Sequence, residues 1–107
     1  MEDFYKLSIK EKLKGLTEST ISSLELTESY LQRIKEVDKK INSFITVLED
    51  KAIESARESD KRYKEGSALP LDGIPIAHKD IFCTEGVLTT CGSKMLSNFV
   101  SPYSSTV

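Results

Sequence analysis

Between Ser22 and Ile41 one side-chain stripe returns at intervals of three and four: Leu24, Thr27, Leu31, Ile34, Val37 and Ile41. At 3.6 residues per turn these positions share one face of a helix, and most of the remaining positions are charged or polar. Ser22 and Glu25 stand in the S-x-x-E order of a capping box, so the helix is expected over residues 22–41. A helix of this kind gains little from propensity alone and is stable only when its stripe is covered. The rest of the chain must therefore supply a packing partner.

A second capping box, Ser8 with Glu11, followed by Gly15 as a stop, predicts a short helix over 8–14. Phe44 to Leu48 is a β-branched and aromatic run bounded by polar residues, which predicts a buried strand over 44–48. Asp50 is placed to cap a third helix over 51–65, with Ala52, Ile53, Ala56 and Tyr63 on one side and Gly66 at its end. Pro70 and Gly73 punctuate a turn into a second strand, 73–81, carrying Ile74, Ile76, Ala77 and Ile81. Strand, helix, strand is a candidate βαβ unit with a right-handed crossover, and the class expected is α/β, with helices packed on a mixed β-sheet. After Phe82 the glycines, threonines and serines favour loops, with a helical turn between Ser93 and Asn98. Two strands and three helices bury little surface and leave strand edges unpaired, so the reading is of part of a larger domain.

The charges exclude several functions. Fifteen basic and seventeen acidic residues among 107 leave a net charge of -2, with no electrostatic footprint for nucleic acid or anionic lipid. Lys6, Lys10, Lys12 and Lys14 read as a solvated helix face. No apolar run approaches a membrane span and no signal-peptide order is present, so a cytoplasmic setting is expected. Cys83 and Cys91 read as reduced thiols, and a lone histidine without a cluster of carboxylates or thiols gives no metal site.

Lys79 is the residue with chemistry in it. It lies inside the apolar run of the second expected strand, where burial disfavours an unpaired ammonium and leaves the neutral amine, a base. Side chains alternate along a strand, so Asp80 and His78 take the opposite face and neither is placed to pair with Lys79. The plainer reading of Lys79 is a strand-end lysine whose head reaches water. His78 reads as a surface or wall residue, or a contributor to a tunnel or interface. Asp80 reads as a carboxylate bonding nearby backbone.

Five collinear segments carry a family resemblance: SSLELTESYLQRI (22–34), INSFITV (41–47), GIPIAHKD (73–80), TTCGSKML (89–96) and NFVSPYSSTV (98–107). From about Ser8 onward the chain resembles the N-terminal part of the amidase signature family, most closely its A-subunit branch in the glutamyl-tRNA(Gln) amidotransferases. The resemblance implies that Lys79 is the base of a Ser, cis-Ser, Lys triad, and that both serines lie in a glycine- and serine-rich segment beyond Val107. On that reading residues 1–107 are the N-terminal portion of a single amidase domain, incomplete and inactive alone. Ser93, Ser97, Ser101, Ser104 and Ser105 have no glycine-rich setting for an oxyanion hole and read as loop and cap residues.

The same resemblance implies a glutaminase that passes ammonia to a B subunit, with B and C subunits, glutamine and Glu-tRNA(Gln) as partners. It implies no cofactor in this chain, ATP and Mg being used by the assembled complex. Two alternatives stay open: another amidase signature hydrolase acting on small amides, and a non-catalytic binding module. The chain departs from the family pattern at His78, Ile81 and Ser104.

Overall fold

A computed structural model of the chain describes residues 4–77, 79, 84–91, 93–96 and 98–106. They divide after Pro75 into two compact units.

The first unit is helical. A 3-10 turn, Phe4–Lys6, leads into α1 (Ile9–Thr17), α2 (Ser23–Ile41) and α3 (Glu49–Glu65). Both serine caps form: the Ser8 hydroxyl accepts the Glu11 N–H at 3.1 Å and the Ser22 hydroxyl accepts the Glu25 N–H at 3.0 Å. Each satisfies one N–H that a first helical turn leaves without an intrahelical partner. Helix α2 closes on Asn42 in the left-handed region, whose N–H reaches the Asp38 carbonyl at 2.7 Å, while the Asp38 carboxylate takes the Ser43 N–H at 2.7 Å. Helix α3 closes as expected at Gly66, with Ser67 N–H on the Arg62 carbonyl and Gly66 N–H on that of Tyr63, the Schellman pattern.

Two helix boundaries differ from the sequence reading. Gly15 does not stop α1, which runs on to Thr17; a Cβ at Gly15 would lie 2.7 Å from the Ile21 side chain, so the glycine serves close packing. Asp50 does not cap α3. That helix begins at Glu49 after Leu48, which makes no side-chain cap, and both acidic residues sit in the first turn against the positive end of the helix dipole.

The core consists of Phe4, Leu16 and Leu26, with Leu7, Ile21, Tyr63 and Ile74 packed against it. Leu26, with no exposed surface, is the deepest side chain of α2 although the expected stripe passed it by. Burying a leucine fully contributes about 2 kcal/mol. Ile41, at the far end of the stripe, is exposed. Lys12 is also not part of a solvated face: it is buried, with its ammonium 4.9 Å from the centre of the Tyr30 ring.

In the second unit, Ile76–Val107, the described residues include an antiparallel bridge between Leu88 and Val100. Thr89 N–H bonds Phe99 O at 3.0 Å, Ser101 N–H bonds Val87 O at 3.1 Å and Gly86 N–H bonds Ser101 O at 2.7 Å. The helical turn expected between Ser93 and Asn98 takes the form of a 3-10 turn, Lys94–Leu96.

The expected mixed sheet has no counterpart among the described residues. Phe44 to Leu48 forms no ladder, and neither do the described positions of 73–81. A strand exists only when a neighbour takes its N–H and C=O groups, and no strand partner for either run occurs among the described residues.

Candidate functional site

The segment that leads to Lys79 begins at a polar junction in the first unit. After Gly66 reverses the chain, residues 67–74 return along the end of α3. There the Arg62 guanidinium grips the Asp72 carboxylate through Nε and Nη2, the latter 2.7 Å from Oδ1. Tyr63 donates its hydroxyl to the Asp72 carbonyl at 2.6 Å, and Asp72 N–H bonds Leu69 O at 3.1 Å. The next residue, Gly73, has φ +85° and its carbonyl accepts the Ser23 hydroxyl of α2 at 2.9 Å. A Cβ there would stand 2.9 Å from Ser59 Oγ and 3.1 Å from Leu16 Cδ1, so both its dihedral and its surroundings require glycine.

The same end of α3 caps α2. Asp60 accepts the Ser23 N–H at 2.7 Å and the Leu24 N–H at 3.2 Å, satisfying two first-turn donors from another helix. Ser59 is buried and its hydroxyl makes no hydrogen bond, though it lies near enough to Asp72 to favour the carboxylate's charge.

Arg62 holds the Asp72 carboxyl well below the usual carboxylate range, and partial burial opposes it. The Asp72 side chain is 4% exposed. Burial pushes the Tyr63 hydroxyl up, with the Asp72 charge acting in the same direction. Every polar group of Arg62, Tyr63 and Asp72 that meets another is engaged in holding the chain, so the junction is structural.

Lys79 belongs to the second unit, and there it is exposed, as are Ala77 and Ile76, the latter at 79%. The burial expected from its apolar neighbours is thus not present among the described residues. Drying an ammonium requires protein over both faces of its segment, and a short apolar run cannot supply that for itself. His78, Asp80, Ile81 and Cys83 lie outside the described residues; Cys91 is a free, exposed thiol.

Three serines of the second unit make hydrogen bonds to backbone groups. Ser101 is buried, donates to the Tyr103 carbonyl at 2.6 Å and accepts the Tyr103 N–H. Ser104 accepts the Glu85 N–H at 3.1 Å, and Ser93 accepts the Met95 N–H at 3.3 Å. Ser97 lies outside the described residues. No group of three carboxylate, thiol or imidazole side chains with metal-binding geometry occurs among the described residues, and no described helix is long and apolar enough to cross a membrane.

Sequence reasoning missed Asp60, Arg62 and Asp72. The two α3 residues fall outside the apolar side read for that helix, and the only local hint was the turn signal at Pro70 and Gly73.

The chain belongs to the amidase family, whose model, described as Amidase, matches residues 25–107. Among its curated relatives, the A subunit of the glutamyl-tRNA(Gln) amidotransferase of Acinetobacter baumannii (strain ATCC 17978) is 51% identical over 107 residues, all of this chain and 22% of that one. The protein of the same name from Aromatoleum aromaticum is 58% identical over 96 residues, 90% of this chain and 20% of that one. The chain thus spans about a fifth of the length of these relatives. A solved structure, described as "An unexpected vestigial protein complex reveals the evolutionary origins of an s-triazine catabolic enzyme", superimposes with a TM-score of 0.85 at 30% identity, covering 92% of this chain and 22% of that one.

Proposed function

We propose that the chain forms part of a glutamine amidase, the A subunit of a glutamyl-tRNA(Gln) amidotransferase, which frees ammonia for converting Glu-tRNA(Gln) to Gln-tRNA(Gln) in the cytoplasm. The observation that carries this reading is 51% identity, over all 107 residues, to a protein of that name. In this reading Lys79 is the base. A serine hydroxyl attacks the glutamine amide carbon, its proton passes through a second serine to the Lys79 amine, and the same proton leaves with ammonia as the C–N bond breaks. In this reading, as the family resemblance implies, both hydroxyls come from polypeptide outside these residues. That polypeptide also covers Ile76, Ala77 and Lys79, providing the dry setting that a neutral amine needs. The B and C subunits receive the ammonia and bind the tRNA, and ATP and Mg serve the assembled complex rather than this chain.

The test is ammonia release from glutamine by the purified chain, with and without B and C subunits, beside the full-length Acinetobacter protein in its complex. The chain alone is expected to release none. Replacing the lysine aligned with Lys79 by methionine in the full-length protein is expected to lower turnover by at least ~100-fold, the lower range for losing a general base. Unchanged turnover in that variant overturns the assignment of Lys79.

The similarity to a structure described in terms of an s-triazine catabolic enzyme supports one other reading, an amidase acting on small amides. A full-length form that hydrolyses small amides and leaves glutamine untouched would decide for it.

A further inference from the structure

The segment that carries Lys79 is fastened at its start by α2. Ser23, 2% exposed, donates its hydroxyl to the Gly73 carbonyl at 2.9 Å, from a position 50 residues earlier in the chain. The serine is itself held, because its N–H and that of Leu24 are bonded to the Asp60 carboxylate of α3. Gly73 is confined on its other sides. Its φ is +85°, and a Cβ there would meet Ser59 Oγ at 2.9 Å, Leu16 Cδ1 at 3.1 Å and Ser23 Cβ at 3.3 Å. Pro75, two residues on, has its φ fixed by the ring and offers no N–H to a ladder. Among the described residues, the Ser23 bond is the last that a side chain makes to the main chain before Lys79.

What such a bond fixes is register. Lys79 follows Gly73 by six residues. Side chains of an extended segment alternate, so a slip of one residue at its start turns the lysine to the opposite face. The described positions of the apolar run form no ladder that would hold their register. The Ser23 hydroxyl supplies the fixed origin that the run lacks, and without it a buried carbonyl gains by shifting toward another donor. We infer that Ser23, oriented by Asp60, is a positioning residue for the base: it holds the Gly73 carbonyl and, through it, the register in which Lys79 meets the attacking hydroxyls. Ser23 acts along the covalent chain and touches neither substrate nor amine. The inference rests on the reading of Lys79 as the base of the amidase.

The test uses the full-length Acinetobacter protein in its complex, with each change made at the aligned position. Ser23→Ala is expected to lower kcat for ammonia release at least ~10-fold, since a misplacement of about 1 Å can cost about 100-fold, and to leave KM for glutamine within ~2-fold. Ser23→Cys keeps the site filled and replaces the hydroxyl with a weak donor, so it is expected to fall in the same direction and decides the matter if the alanine variant does not fold. Ser22→Ala is the comparison. It removes a cap bond from the same end of α2 without touching Gly73, and is expected to lower the melting temperature and leave kcat unchanged. Because Ser23 acts through the lysine, Ser23→Ala is expected to add nothing to the loss already caused by Lys79→Met, whereas independent losses multiply. Full kcat in the Ser23 variants, an equal loss in Ser22→Ala, or losses that multiply with Lys79→Met overturns the inference and leaves the amidase reading standing. Unchanged turnover in Lys79→Met alone is a separate result, which removes that reading and the inference with it.

Discussion

Arg62 and Asp72, ten residues apart, meet through two parallel hydrogen bonds that tie the end of α3 to the turn preceding Gly73. The guanidinium fork fits the carboxylate edge to edge, and this geometry distinguishes the pair from the exposed Lys35 to Glu49 contact at 3.0 Å on the same unit. The Asp72 side chain is almost fully covered whereas Arg62 is 40% exposed, so loss of the arginine strands a carboxylate that water reaches poorly.

Acid should weaken the first unit through Asp72. Its folded-state value lies below the ordinary carboxylate value of about 3.9, so in acid the unfolded chain takes up the proton first. Stability from the pair is complete above about pH 4 and is lost as the pH falls through the folded-state value. Urea unfolding from pH 6 downward is the measurement. Asp72→Asn should cost about 1–2 kcal/mol at neutral pH, a figure reduced because water screens the 40% exposed Arg62 partner, and should flatten the acid slope. An Asp72→Asn profile parallel to wild type would contradict this origin of the slope.

Gly73 and Gly66 should separate two costs of a side chain. Both have positive φ, +85° and +74°, but nothing lies within 4 Å of a Cβ at Gly66. Gly66→Ala should therefore cost about 1 kcal/mol, the dihedral penalty alone. Gly73→Ala adds contact with Ser59 and Leu16 and should cost several times as much. Ser59→Ala removes the nearest obstacle, so the double variant should lose less than the sum of the single changes, as measured by a double-mutant cycle.

Asp60→Ala should uncap α2 from a distance of 36 and 37 residues along the chain. The expected loss is about 1–2 kcal/mol, the range for removing a side-chain cap. Amide hydrogen exchange should quicken at Ser23 and Leu24 while Glu25, bonded to Ser22, changes little. Equal changes at all three amides would mean that α2 frays as a whole and that Asp60 is not a separate cap.

Lys12→Met tests the buried cation. The methionine keeps the apolar stem and drops the charge over Tyr30, so a loss of about 0.5–2 kcal/mol isolates the ring contact from packing. An unchanged midpoint in urea would assign the burial of Lys12 to its stem alone.

What could be read from residue order was local. Ser8, Ser22 and Gly66 act on amides and carbonyls within a few positions of themselves, so caps and the end of α3 were legible, and so was the amphipathic character of α2. Gly15 misled because a glycine in a helix means a stop or a close contact, and only the position of Ile21 distinguishes them. Lys12 misled for the same reason, since nothing in the sequence places Tyr30 beneath it. The five segments that identify the family were legible without any geometry.

Sequence by itself determined three helices, the serine caps of α1 and α2, the glycine end of α3 and the lineage, and it offered Lys79 as a candidate base. Tertiary structure alone decided that Asp60 serves α2, that Arg62 and Tyr63 hold Asp72, and that Gly73 has no space for a side chain. It also decided that the runs at 44–48 and around Lys79 are uncovered among the described residues. The reason is range: a cap closes within one helical turn, whereas an ion pair, a strand ladder or a dry lysine depends on groups brought from elsewhere in the chain or from another chain, and their identity is not written at the position that needs them.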